Sequence, residues 1–112
     1  IRVTNKSWRI FIFTIKDLKD FLLDICYNYY VIYMKEKLIL NINKIHTTEI
    51  GLKRIKNNLY LNNIDPVEFC KNMILNAKTT VYKKGKNYYC EASNIKITIN
   101  SYSYTIITAH LI

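Results

Sequence analysis

The sequence has two glycines and one proline in 112 residues. So few of either, in a chain half of whose residues are apolar, excludes a disordered tail and reads as a folded globular domain. Cysteine is sparse: Cys26, Cys70 and Cys90 stand far apart. An odd number without short spacings fits neither a disulfide framework nor a zinc site, and reads as buried thiols in a reducing compartment. Acidic residues are few, 8 against 17 Lys and Arg, for a net charge of +9. No stretch is long and clean enough to span a membrane. The longest candidate, "FLLDICYNYYVIYM", carries Asp24 and falls short of ~18 apolar residues. No signal peptide is visible. A glycine-rich phosphate loop, HExxH, a nucleophile elbow and a close carboxylate pair are all missing, so no metal or cofactor is expected. The aspartates Asp17, Asp20 and Asp24 recur at helical spacing, and pairing with Lys16 and Lys19 explains them better than a metal does. The chain opens on Ile1, as expected of a domain cut from a longer protein or of a processed form.

What is present bounds the rest. The length fits one domain over residues 1–112. Residues 44–112 hold ten basic and four acidic groups, so most of the positive excess lies in the C-terminal part. Such a field favours a polyanion, either nucleic acid or an acidic protein. The same abundance of Ile, Lys, Asn and Tyr also fits an AT-rich genome, so the charge has two readings.

Helical signals come first along the chain. "SWRIFIF" at 7–13 is a short strand or a lead-in. Thr14 and Asp17 can open a helix, and Ile15, Leu18, Leu22, Ile25 and Tyr29 continue it over about 15–34. "KEKLILNINK" fits either a helix continuation or a strand. After His46, Thr47 or Thr48 caps a second helix with Glu49 in its first turn and Leu52, Ile55 and Leu59 as its stripe. Asp65, Pro66 and Glu68 open a third, which runs to about 77. The period then changes to two. "TTVYKKGKNYYCEA" reads as a hairpin around Lys84-Gly85, "NIKITIN" alternates with Ile95, Ile97 and Ile99 on one face, and "YTIITAHL" is a last strand. The expected class is α+β: helices over 14–77 packed on one face of a three- to four-stranded antiparallel sheet over 79–111.

Only two histidines occur, His46 at a helix entrance and His110 near the end of the last strand. Two imidazoles suit RNA cleavage without metal. One takes the proton of a ribose 2′-hydroxyl as it attacks its own phosphate, and the other protonates the leaving 5′-oxygen. A cation must hold the phosphate, and Arg54, with Lys53 beside it, is the candidate. "NSYSYTIITAH" supplies hydroxyls. Tyr104, Thr108 and His110 are expected in one row on the open side of the last strand, with Ser103 and Thr105 at the rim and Lys84 as a further phosphate contact. The expected catalytic set is His46, Arg54, Thr108 and His110. Each of these residues also has a plain structural reading as a cap, a surface side chain or a β-former.

From His46 onward the order of elements resembles the barnase, EndoU, colicin and RelE group of small ribonucleases (the BECR fold). The resemblance rests on a His near a helix start, a basic helix, a second helix opened like "NIDPVEF", and a meander with a turn like "KKGK". Strands like "IKITIN" and "TIITAH" close it. The segment "HTTEIGLKRIKNNL … SYTIITAH" is also similar to an uncharacterised bacterial and phage domain family. The ribonuclease resemblance implies a metal-independent endoribonuclease toxin domain. It implies tRNA as substrate and action in the bacterial cytoplasm, after delivery as the C-terminal part of a larger protein. An acidic immunity or antitoxin protein is the implied partner. By position it assigns His46, Arg54 and Thr108 the His, basic and hydroxyl roles. The alternatives are a non-catalytic RNA-binding domain and a protein-interaction module such as an antitoxin or inhibitor.

Overall fold

Helices precede strands, as the change of period predicts. A computed structural model describes the backbone over residues 5–112 and side chains from residue 16 onward. It contains α1 (Asn5–Leu40), α2 (Glu49–Asn58) and α3 (Pro66–Leu75), then β1 (Thr80–Lys84), β2 (Asn87–Ala92), β3 (Ile95–Asn100) and β4 (Ile106–Leu111). The chain divides into two compact units between Tyr30 and Val31, inside α1. The α+β architecture belongs to the unit from Val31 onward. No described helix is long and apolar enough to cross a membrane.

The first helix is longer than its apolar spacing predicts. It already includes residues 7–13, so these are no strand and Thr14 is no cap. The reason is the scarcity of breakers: the first glycine is Gly51 and the first proline Pro66. It also takes in "KEKLIL", and a 3₁₀ turn at Ile42–Lys44 leads out. From Lys16 to Tyr30 every side chain is exposed, so the expected stripe of Leu18, Leu22, Ile25 and Tyr29 is not buried. Ile15 lies outside the described side chains. The pairing of the aspartates with Lys16 and Lys19 does not form either. Ion pairs among the described residues include Lys71–Glu68 and Lys96–Glu91.

The two short helices begin where the sequence predicts. Thr48 caps α2, its hydroxyl accepting from Gly51 N at 3.0 Å. Asp65 caps α3, accepting from Val67 N at 2.9 Å, with Pro66 in the first turn. Glu68 pairs with Lys71 at 3.8 Å. The third helix stops at Leu75 because Asn76 turns to extended backbone and its side chain accepts from Lys78 N.

The strands form one antiparallel meander in the order β1-β2-β3-β4. Gly85 opens the β1–β2 turn with φ 62°, a left-handed value that favours glycine there. Cross-strand rows show how the core is built. Val81, Cys90, Ile97 and Ala109 pair in one row, and Tyr88, Ile99 and Ile106 in the next. All seven are buried together with Leu38 from the end of α1, Ile55 from α2 and Leu59 just after it, and Cys70 and Ile74 from α3. Each fully buried side chain of this kind contributes about 1.5–3 kcal/mol. The helices therefore cover one face. The other face carries Tyr82, Tyr89, Thr98 and Thr108 in one row, and Glu91, Lys96 and His110 in the next.

A register shift between Thr98 and Ile99 alters the last strand. Thr98 pairs with Thr108 and Ile99 with Ile106, which leaves Ile107 as an extra residue. Ile106 and Ala109, three apart, both face the core. The expected row of Tyr104, Thr108 and His110 is broken there, and Tyr104 packs against the core instead.

Helix α2 is held against β4 by a close approach. Thr47 Oγ1 donates to Ile106 O at 3.1 Å, and a Cβ on Gly51 would clash with that Thr47 hydroxyl oxygen. Gly51→Ala should destabilise the protein by about 1–2 kcal/mol in urea unfolding, despite the better helix propensity of alanine. Adding Thr47→Ala should recover part of the loss. A stabilised Gly51→Ala variant would refute the contact.

Of the three thiols, Cys70 and Cys90 are buried and Cys26 is exposed. Burial pushes both buried thiols up to about 12, with Asp65 adding at Cys70 and Cys70 adding at Cys90. In the unfolded chain they ionise near the ordinary thiol value, so the stability they confer is complete below about pH 8.5. It falls as pH rises towards 12, by up to about 1.4 kcal/mol per pH unit for each thiol. Urea titrations between pH 8 and 11 should show this decline, with a shallower slope in a Cys70→Ala/Cys90→Ala variant. A thiol reagent at pH 8 should label Cys26 at once and the other two only on unfolding.

Candidate functional site

His46 lies in the short extended segment between the 3₁₀ turn and α2. That segment runs parallel to the start of β4. His46 N donates to Tyr104 O at 3.2 Å and Ile106 N donates to His46 O at 2.8 Å, a bridge that pairs His46 with Thr105. Buried Ile45 and half-buried Thr47 alternate with exposed His46, so the ring points outward.

Two bonds fix the ring. Nδ1 lies 2.8 Å from Lys44 O, and a carbonyl only accepts, so Nδ1 carries a proton. Nε2 lies 3.1 Å from Thr105 Oγ1. Thr105 Oγ1 is 2.8 Å from Ser103 Oγ, which is 3.2 Å from Asn100 Oδ1. Counting protons gives two consistent arrangements. With neutral imidazole, Ser103 donates to Thr105 and Thr105 donates to Nε2. With imidazolium, Nε2 donates to Thr105, Thr105 to Ser103, and Ser103 to Asn100 Oδ1. Neither arrangement leaves any of these donors unpaired.

The loop that carries the hydroxyls is built by Asn100. Its Oδ1 accepts from Tyr102 N and Ser103 N, each at 2.9 Å. Its backbone accepts from Tyr104 N and donates to Thr105 O, both at 2.9 Å. Tyr104 closes the turn with φ 59°, an uncommon value for a tyrosine that costs about 1–3 kcal/mol and is held by these bonds. The neighbouring turn is tied on as Ser101 N donates to Lys86 O at 2.8 Å. Ser101 Oγ is buried without a hydrogen-bond partner.

Three segments therefore meet at one end of the sheet: 42–48, 83–87 and 100–106. Together they hold four lysines and no acid. Lys44 Nζ lies 5.7 Å from the centre of the Tyr104 ring. Such a surface of ammonium groups, hydroxyls and one imidazole suits an anionic oxygen ligand.

A family model described as a protein of unknown function, DUF3781, matches residues 39–110, more than half of the chain. The chain belongs to the DUF3781 family. The matched DUF3781 region takes in every residue of the cluster. No curated protein and no solved structure matches the chain.

The residues expected to act together separate into three places. His46, Ser103 and Thr105 meet at the sheet end with Tyr104 beside them; Lys84 lies at the same end of the sheet but on the opposite edge strand, β1. Thr108 and His110 stand on the open sheet face. His110 is five residues beyond Thr105, about 16 Å along the strand, so the two imidazoles do not converge. Thr108 pairs with Thr98 and is not part of the cluster; its expected hydroxyl role falls to Thr105 and Ser103. Lys53 and Arg54 are exposed on α2. Lys53 is on the side away from the buried Gly51 and Ile55. Arg54 is one turn before Asn58, whose Nδ2 donates to Ala109 O at 3.2 Å, and so flanks β4. It lies about 9 Å along the helix from Thr48 and bonds to none of the cluster.

Sequence reading missed Lys44, Lys86 and the anchoring role of Asn100. The signal for Asn100 was present: Asn followed by Ser-Tyr-Ser is turn chemistry, in which the side chain accepts from backbone two and three residues on. Asn100→Ala should lower stability by about 1–3 kcal/mol and shift the ¹⁵N signals of the His46 ring, whereas Asn100→Asp, which keeps the acceptor, should leave both near wild type. Unchanged ring signals in Asn100→Ala would show that this loop does not position His46.

Proposed function

We propose that this chain binds RNA at the basic sheet end and cleaves it there, with His46 as the base. The observation that carries the reading is the His46 ring, held in one tautomer between Lys44 O and the Thr105 hydroxyl, at a sheet end whose three segments hold four lysines and no acid. A ribose 2′-hydroxyl gives its proton to Thr105 Oγ1 as Thr105 passes its own to Nε2, and Ser103 turns its proton to Asn100 Oδ1. The 2′-oxygen then bonds to phosphorus and the bond to the 5′-oxygen breaks. The leaving oxygen takes a proton from one of the lysine ammonium groups, which also balance the charge on the phosphate. Arg54, with its long side chain on the same flank, serves the incoming strand. The products are a 2′,3′-cyclic phosphate and a 5′-hydroxyl.

The wider setting comes from the sequence resemblance. In it the chain is a toxin domain that reaches a bacterial cytoplasm, acts on tRNA without added metal, and is neutralised by an acidic immunity or antitoxin protein. The charge of +9 supports an acidic partner. RNA binding without turnover is the second reading, favoured by one observation: His110 lies five residues along β4 from Thr105, the partner of His46, so the cluster has a single imidazole.

Total RNA and tRNA incubated with the protein in chelator should be cut, with cyclic phosphate ends. His46→Ala should lower the rate by about 10²–10⁴-fold, and His110→Ala should leave it near wild type. RNA that stays intact but is bound in a salt-sensitive manner would establish the second reading. Cleavage undiminished in His46→Ala would overturn the role given to this ring.

A further inference from the structure

The sheet face away from the helices carries a stack that the His46 cluster does not use. The rings of Tyr82 and Tyr89, paired across β1 and β2, lie 5.4 Å apart between centroids and 21° from parallel. Lys96 Nζ lies 4.9 Å from the centre of the Tyr89 ring. Tyr82 and Lys96 come from the two strands that flank β2, and Lys96 also reaches the Tyr82 hydroxyl. The stack is locked by one carboxylate. Tyr82 donates to Glu91 Oε1 at 3.0 Å, and the same oxygen lies 3.7 Å from Lys96 Nζ.

The ladder of ammonium, ring and ring ends at Tyr82. This residue is half-buried on the edge strand β1, and among the described residues no further ring or cation meets it. A fixed ring with one unstacked face is a ready platform for another flat aromatic group, because its ordering cost is already met within the protein. The surrounding charge selects the kind of group. Residues 79–112 hold Lys83, Lys84, Lys86 and Lys96 against Glu91 alone, and Glu91 is engaged by Lys96. Lys84 stands on the same face as Tyr82, about 7 Å nearer the sheet end. An aromatic group attached to a chain of anions satisfies both features.

We propose that the open face of Tyr82 is a stacking site for an unpaired nucleobase, on a strand whose phosphates pass Lys84 towards the His46 cluster. This rests on the RNA reading above and narrows it: the ligand is single-stranded there, since a base within a duplex has no free face to offer.

The test compares binding of the full chain to a short single-stranded oligoribonucleotide and to an abasic phosphodiester of equal length at low salt. Wild type should bind the oligoribonucleotide about tenfold or more tighter than the abasic chain. Tyr82→Leu should lose that difference while keeping its affinity for the abasic chain, and Tyr82→Phe should keep the difference. Equal wild-type affinity for the two polymers, or a Tyr82→Leu variant that retains the base-dependent gain, overturns the stacking site and leaves the RNA reading in place. Binding of neither polymer overturns both. If Tyr82→Leu fails to fold, the wild-type comparison of the two polymers decides.

Discussion

Two backbone hydrogen bonds organise the unit from Val31 onward, those that lay His46 beside the start of β4. They satisfy polar groups on an edge strand that would otherwise be open to pairing with another chain. They also fix where α2 begins, since Thr47, one residue on, donates to Ile106 O and Thr48 caps the helix. The same bonds carry an imidazole from residue 46 to hydroxyls at 103 and 105. The extended segment between Lys44 and Glu49 thus serves as edge cover, helix entry and site wall at once.

The site depends on proton bookkeeping more than on burial. His46 and Ser103 are exposed and Thr105 is half-buried. Order comes instead from a chain of bonds that ends on an Asn carbonyl already accepting two backbone N–H groups. Its direction can reverse as the ring gains or loses a proton. The lysines come from two segments, 42–48 and 83–87, and the Ser101–Lys86 bond ties the second of these to the loop that carries the hydroxyls.

Much of the fold was legible before any coordinates. Thr48 and Asp65 cap their helices as hydroxyl and carboxylate chemistry predicts, Gly85 marks the hairpin, and Ile97 and Ile99 go to the core by simple alternation. These are local rules acting over three or four residues. The misreadings came where local rules are silent. Residues 7–13 joined α1 because nothing there stops a helix, residues 35–40 took the helical one of their two readings for the same reason, and the apolar stripe of α1 stayed exposed because amphipathic spacing does not supply a partner.

The sequence alone determined the class of fold, the helix starts, the hairpin and the excess of positive charge in the C-terminal part, because each follows from side-chain type and short-range spacing. Only the tertiary structure decided which chemical groups meet. A one-residue bulge at Ile107 re-phased β4, separated Tyr104 from Thr108 and His110, and turned Ile106 and Ala109 inward together. The bridge between His46 and Thr105, 59 residues apart, then chose one imidazole for the hydroxyl cluster and left the other on the open sheet face. Register and strand pairing are set by the packing of the whole core, and no short stretch of sequence contains that information.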